Sequence, residues 1–173
     1  MSTVAESEVI YDWNLRGSAL PAPPRRVLIV DETMRDGVQC PSVTDPTVDA
    51  KMQMLRLMAK VGVDVVDIGL PGAGPRAVGD VTRLAETIRD EKLPLLANCA
   101  ARTHANDIAP IVDISQKTGV PIEVMAFLGA SPIRLYAEGW DVDLLEKRTR
   151  DSIRMAKQNG LPATFVTEDT TRA

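Results

Sequence analysis

The sequence predicts an α/β fold built on parallel strands. Short apolar, β-branched runs near 27–31, 63–68, 93–98, 121–126 and 162–166 alternate with helical patterns near 46–61, 75–91, 104–118 and 141–159. Gly62, Gly119 and Gly160 each follow a helical stretch just before the next strand, where a left-handed C-cap is needed. Regular alternation of this kind calls for right-handed crossovers between parallel strands.

Taken in order, residues 1–25 end in Pro21-Ala22-Pro23-Pro24, which holds neither a helix nor a central strand and reads as an arm or linker. The domain then runs over 26–173. The first strand, 27–31, leads into Asp31-Glu32-Thr33-Met34-Arg35-Asp36-Gly37-Val38-Gln39, a concentration of charge at a strand end, where α/β enzymes keep their chemistry. For the first helix, Asp45 before Pro46 supplies an N-cap and a first-turn proline, and Val48, Met52, Leu55 and Met58 form its buried stripe. Gly72-Ala73-Gly74-Pro75-Arg76-Ala77 formally fits a dinucleotide fingerprint. Leu70 and Pro71 separate it from the strand, however, and loop flexibility accounts for its glycines. The stretch 141–159 is dense in Lys, Arg, Glu and Asp and reads as a solvated outer face.

Composition narrows the function. The chain has 173 residues, 45% of them hydrophobic, enough for one domain with a sizeable core. A net charge of -4, no basic stripe and only 3% aromatic residues argue against nucleic acid as a partner. The first residues lack a basic and an apolar leader region, and no apolar run is long enough to span a bilayer, so the expectation is a soluble cytoplasmic protein without a membrane role. Cys40 and Cys99 lack metal-ligand spacing and are expected to be reduced thiols near strand ends.

Two architectures satisfy the alternation, a (β/α)8 barrel and a doubly wound open sheet. Reactive side chains follow every proposed strand: Arg35 and Asp36, then Asp67, then Arg102 and His104, then Ser131, then Glu168. A ring of such residues converging from all strands is what a barrel mouth provides, whereas an open sheet concentrates its site at one crevice. Eight units normally take roughly 250 residues. The expectation is therefore the N-terminal part of a TIM barrel, about five parallel strands, incomplete on its own. The remaining units would come from a complementary chain or the rest of a longer enzyme, unless the sheet is open after all. Unpaired edges and an apolar face imply a partner chain or a homo-oligomer.

Asp31-x-Thr33-Met34-Arg35-Asp36-Gly37-x-Gln39 resembles the signature opening of the 2-isopropylmalate synthase and homocitrate synthase family, within the metal-dependent barrel group that includes hydroxymethylglutaryl-CoA lyase. Val66-Asp67-Ile68-Gly69-Leu70-Pro71, Gly129-Ala130-Ser131-Pro132-Ile133 and Phe165-Val166-Thr167-Glu168-Asp169-Thr170-Thr171-Arg172 resemble its second strand, fourth loop and fifth strand end. The resemblance implies Claisen condensation of acetyl-CoA or another acyl-CoA with a 2-oxo acid, an acyltransferase reaction of amino-acid biosynthesis. It further implies that Asp36 ligates a divalent metal (Mg, Mn or Zn), that Arg35 stabilises the oxyanion or enolate, and that Glu168 assists proton transfer at the thioester methyl.

Asp67 would be a catalytic carboxylate, Ser131 and Gln39 would contact substrate, and Arg102 with His104 would meet a distal carboxylate, as with 2-oxoglutarate in homocitrate synthases, tilting the substrate slightly toward a dicarboxylate. Within the resemblance Asp67 stands where the family has Glu, Ala130 where it has Thr and Val166 where Ser is common. The family's His-x-His metal pair belongs to a later strand, and His104 is the only histidine here. The alternatives are a lyase running carbon–carbon cleavage on a hydroxyacyl-CoA, and a non-catalytic partial-barrel partner subunit.

Overall fold

The computed structural model describes residues 26–172, so the expected arm at 1–25 lies outside the described residues. Five strands, β1 (Val30–Asp31), β2 (Val65–Asp67), β3 (Leu96–Arg102), β4 (Ile122–Phe127) and β5 (Ala163–Val166), form one sheet in the order β1-β2-β3-β4-β5. Every pairing is parallel. Strictly sequential order decides between the two architectures. A doubly wound sheet reverses direction at a switch point, whereas successive right-handed crossovers stepping one way place all helices on one face, as in a barrel. The sheet is not closed, and the fold is four β/α units and a fifth strand of a partial TIM barrel.

The helices are α1 (Val48–Val61), α2 (Pro75–Asp90), α3 (Ala105–Thr118), α4 (Pro132–Glu138) and α5 (Val142–Gln158). None among the described residues is long and apolar enough to cross a membrane. Alternation along β3 and β4 sorts the two faces. Ala97, Cys99, Ala101, Ile122, Val124 and Ala126 join Leu55, Leu84, Ile108 and Ile111 in a single core between sheet and helices. Asn98, Ala100, Glu123, Met125 and Phe127 occupy the other face, where the β4 residues are only half-buried. At the β1 edge, Val27 is 70% and Ile29 58% exposed, since nothing among the described residues covers them.

Several expected boundaries move. The third strand begins at Leu96, not 93, because Leu93-Pro94 sits in a turn and proline has no N–H for the ladder. It runs on to Arg102 because six consecutive residues pair with β4, overriding the weak strand propensity of Ala100-Ala101. The cap of α1 is Thr47, whose Oγ1 accepts from Ala50 N at 3.3 Å, rather than Asp45. Asp45 instead pairs with Lys51 and Arg76. Helix α4 is an element the strand-and-helix alternation does not predict, capped by Ser131 and ended by Gly139 at φ 65. Gly62, Gly119 and Gly160 do take positive φ (89, 72 and 75), as a left-handed C-cap requires.

Candidate active site

The chain leaves β1 in a tight turn, with the amides of Arg35, Asp36 and Gly37 all directed at the Glu32 carbonyl. This folds Arg35 back over the end of β2. Its Nε donates to Asp67 Oδ2 at 3.0 Å, its Nη1 to Asp36 Oδ1 at 3.0 Å and its Nη2 to Glu32 Oε2. Burial works against the charge on Arg35, but the three carboxylates outweigh it and hold the guanidinium pKa above its ordinary value. Arg35 is therefore a cation fixed in place by its neighbours before any substrate arrives.

Asp67 is the buried member of this cluster, its side chain 3% exposed. Burial pushes its carboxyl up to about 6, against the lowering pull of the Gly69 N–H and of Arg35. Gly69 donates to Asp67 Oδ1 at 3.0 Å from a backbone at φ 141. A Cβ there would also lie 2.8 Å from Val81 Cγ2, so only glycine fits. Asn98 pairs with Asp67 in the sheet register, and its buried Oδ1 has no hydrogen-bond partner.

Asp36 is 68% exposed on its side chain, with one oxygen on Arg35. It offers one hard oxygen ligand of the kind Mg²⁺ or Mn²⁺ takes. Among the described residues, however, no three His, Cys, Asp or Glu side chains stand together as a metal site. The implied metal therefore does not fit these residues alone. Gln39 lines a separate crevice of about 250 Å³ beside Arg35, walled by Lys51 and Asp80, which pair at 2.8 Å.

The other expected residues gather at the ends of β3, β4 and β5. Arg102, His104 and Glu168 line one cavity of about 390 Å³ with Phe127 and Trp140. Arg102 grips Asp107 through two side-chain bonds of 2.7 and 2.8 Å, and its own amide donates to the same carboxylate. Burial favours the protonated acid, yet these contacts together hold Asp107 below its usual range. A Cβ on Gly72 would come within 2.5 Å of the Asp107 carboxyl carbon, so this glycine lets the β2 loop reach the start of α3. His104 caps α3, its Nδ1 accepting from Asn106 N at 3.1 Å, which leaves Nε2 as the nitrogen that carries the proton.

Ser131 is buried, and its Oγ accepts from Arg134 N at 3.3 Å as the cap of α4. Below it, Asp169 accepts from the amides of Ala130 (2.8 Å) and Ser131 (3.0 Å). The Ser131 hydroxyl and the Ala130 amide are the main groups that bring the Asp169 carboxyl down to about 2. Glu168 is exposed at φ 53, a left-handed backbone uncommon outside glycine. Cys40 and Cys99 are both free. Burial pushes the Cys99 thiol well up, so it is core, not a nucleophile.

The structure thus divides the single ring that the sequence predicts, bringing together Arg35, Asp36 and Asp67 in one cluster and Arg102, His104 and Glu168 along another cavity. The sequence reading foresees the residues but not this division. It misses Glu32, Asp107 and Asp169 as partners, and Trp140 and Arg148 as cavity walls. The Asp107 role was visible in principle, since an acid in the first turn after a capping residue is a recurrent pattern.

The HMGL-like family model matches residues 26–173. A 2-isopropylmalate synthase of Synechocystis sp. is 34% identical over 114 residues, covering 66% of this chain and 21% of that protein. The 2-isopropylmalate synthase of Sulfurisphaera tokodaii is 30% identical over 149 residues, 86% of this chain and 36% of the relative. That of Shouchella clausii is 28% identical over 150 residues, 86% and 28% respectively. The chain spans about a fifth to a third of the length of these relatives. With the sequential parallel sheet and the Arg35 cluster at its strand ends, the match over nearly the whole described domain means that the chain belongs to the HMGL-like family.

Proposed function

We propose that this chain contributes the first five strands, with the helices between them, of the barrel of an enzyme that condenses an acyl-CoA with a 2-oxo acid, in the manner of 2-isopropylmalate or homocitrate synthases. The observation that carries the reading is Arg35, a cation held by three carboxylates at the end of β1 and turned toward the mouth of the sheet. Claisen condensation passes through an enolate and then an alkoxide. A guanidinium already fixed at that mouth stabilises such developing charge without reorganising. Family membership supports the same chemistry.

In this reading Arg35 faces the oxyanion, Asp67 keeps Arg35 in place, and exposed Glu168 takes the proton from the acyl methyl. Arg102, His104, Gln39 and Ser131 remain the candidate substrate contacts. Asp36 is this chain's single ligand to a divalent cation, and the other ligands come from residues outside the described domain. The half-bare sheet face and open edges support docking to a complementary barrel segment or to a second copy. The protein is read as cytoplasmic, which the lack of a membrane-crossing helix among the described residues allows.

The test is thiol release from acetyl-CoA with a panel of 2-oxo acids, using the full chain alone and together with a segment that supplies the later β/α units. Release that needs both pieces and is abolished by Arg35→Gln supports the reading. No release after the barrel is completed overturns it. The absence of a metal-ligand set among the described residues favours one second reading, a partner subunit without its own turnover. Stable assembly with the complementary segment and no thiol release would select it.

A further inference from the structure

The cavity at the ends of β3, β4 and β5 has a wall that the condensation reading does not use. Gly139 ends α4 in a left-handed turn, and Trp140 follows it half-buried ahead of α5. Two guanidiniums lie against its indole, Arg148 at 4.7 Å and Arg134 at 5.9 Å from the ring centroid. The ring face holds the Arg148 guanidinium close and the Arg134 guanidinium at the edge of cation–π range, which restricts where the two cations sit before an anion arrives. Gly129 forms the floor beneath. A Cβ there would meet Arg134 Cγ at 2.6 Å, so the glycine gives the Arg134 stem its place along the cavity.

Charge at this wall is not balanced internally. Lys147, Arg150 and Arg154 on the same helix each have a carboxylate partner, and Arg134 reaches Glu138 only at 3.5 Å. Arg148 has no ion pair among the described residues. Arg102 and Asp107 neutralise each other and Arg134 has Glu138, which leaves Arg148 as the cavity's unpaired guanidinium among the described residues, with the exposed carboxylate of Glu168 on the same lining. A volume of about 390 Å³ is within the roughly 300–1,000 Å³ of small-molecule sites and larger than a lone oxyanion needs.

We propose that the Arg134–Trp140–Arg148 wall is a binding site for a phosphate-bearing small molecule. Under the acyl-CoA reading above, on which this identification of the ligand rests, it holds the phosphate groups of the coenzyme's nucleotide end. The unpaired fork of Arg148, with that of Arg134 beside it, suits the several oxygens of a phosphate ester better than one carboxylate. Phe127 lines the same cavity and gives the organic part of the ligand an apolar surface.

Trp140 reports on its own site. In the full chain with Trp13→Phe, coenzyme A is expected to change Trp140 fluorescence saturably, and pantetheine, which lacks the phosphates, is not. Arg148→Gln is expected to weaken coenzyme A binding by roughly tenfold or more, and Arg148→Lys to restore it only in part. Calorimetric binding of coenzyme A that is unchanged by Arg148→Gln would overturn the site and leave the acyl-CoA reading standing. Inorganic pyrophosphate that binds in an Arg148-dependent way while coenzyme A does not would uphold the site and remove the acyl-CoA reading. A Trp140 response to 2-oxoglutarate alone would make the wall a carboxylate site and overturn the proposal.

Discussion

The two ends of the sheet's mouth treat their arginines in opposite ways. At β1 and β2, Arg35 is 21% exposed and surrounded by Glu32, Asp36 and Asp67. At β3 to β5, Arg148 stacks on Trp140 and has no carboxylate partner among the described residues. The first arrangement fixes a charge and makes its orientation part of the fold. The second leaves charge available to a ligand. Fixed cations suit chemistry that needs a preorganised field, and available cations suit binding.

The sharpest way to break this contrast is to remove each arginine in turn. Arg35→Ala strands the nearly inaccessible Asp67 carboxylate without its cation, and leaving a buried charge unpaired costs about 3–5 kcal/mol. Arg148→Ala removes an interaction with a half-buried indole at the cavity rim and is expected to cost less than about 1 kcal/mol. Urea unfolding of both variants measures the gap. Equal losses would mean that Arg148 is as structural as Arg35 and that the mouth is not divided in this way.

The acids of the two halves sharpen the contrast through pH. Burial raises the Asp67 carboxyl from its ordinary 3.8 to about 6, so between those values the folded state binds the extra proton. Its contribution to stability is therefore greatest below pH 3.8 and falls as pH rises through about 6, by on the order of 3 kcal/mol. Asp169, held at about 2, has the opposite sign: its contribution is present above pH 3.8 and is lost as pH falls through about 2. Asp67→Asn should flatten the pH 4–6 limb of the stability profile, and Asp169→Asn the acid limb. If Asp67→Asn leaves the 4–6 limb untouched, burial of Asp67 is not what moves its proton.

The sequence reveals these two halves unequally. Arg35, Asp36 and Asp67 are legible because the motif is local: a strand, a charged turn and a glycine within a few residues, with Asp67 at the end of the next strand. The alternation of parallel strands and helices is legible from period, whereas the strand order that separates a barrel from a doubly wound sheet comes from the fold. Arg148 is not. It lies in a helix whose charge density reads as a solvated face, and most of that helix is one, with Lys147–Asp151 and Arg150–Glu146 pairing i to i+4. Only the fold shows that Gly139 turns Trp140 back against it. Ser131 is a middle case. Ser-Pro followed by a glycine eight residues after the serine is a complete helix signature, N-cap, first-turn proline and C-terminal glycine, yet a helix this short adds nothing to the strand alternation.

Ser131 therefore gives the smallest and most discriminating test. Its Oγ accepts from Arg134 N and its hydroxyl also bears on Asp169, so one side chain joins the cap of α4 to the loop after β5. Ser131→Ala is expected to cost about 1 kcal/mol, the usual worth of an N-cap, and to move the Asp169 carboxyl up toward its ordinary range. Ser131→Asp keeps a capping acceptor but places a second negative charge beside Asp169, so it should restore little of that loss. If instead Ser131→Ala leaves unfolding and the Asp169 titration unchanged while weakening 2-oxo acid binding, Ser131 serves the substrate directly. A change in both would follow from the geometry itself, because Arg134 is held in α4 by this cap and stands in the cavity wall. Loosening the helix then loosens one of the two forks, and the cost reaches the ligand through position, not contact.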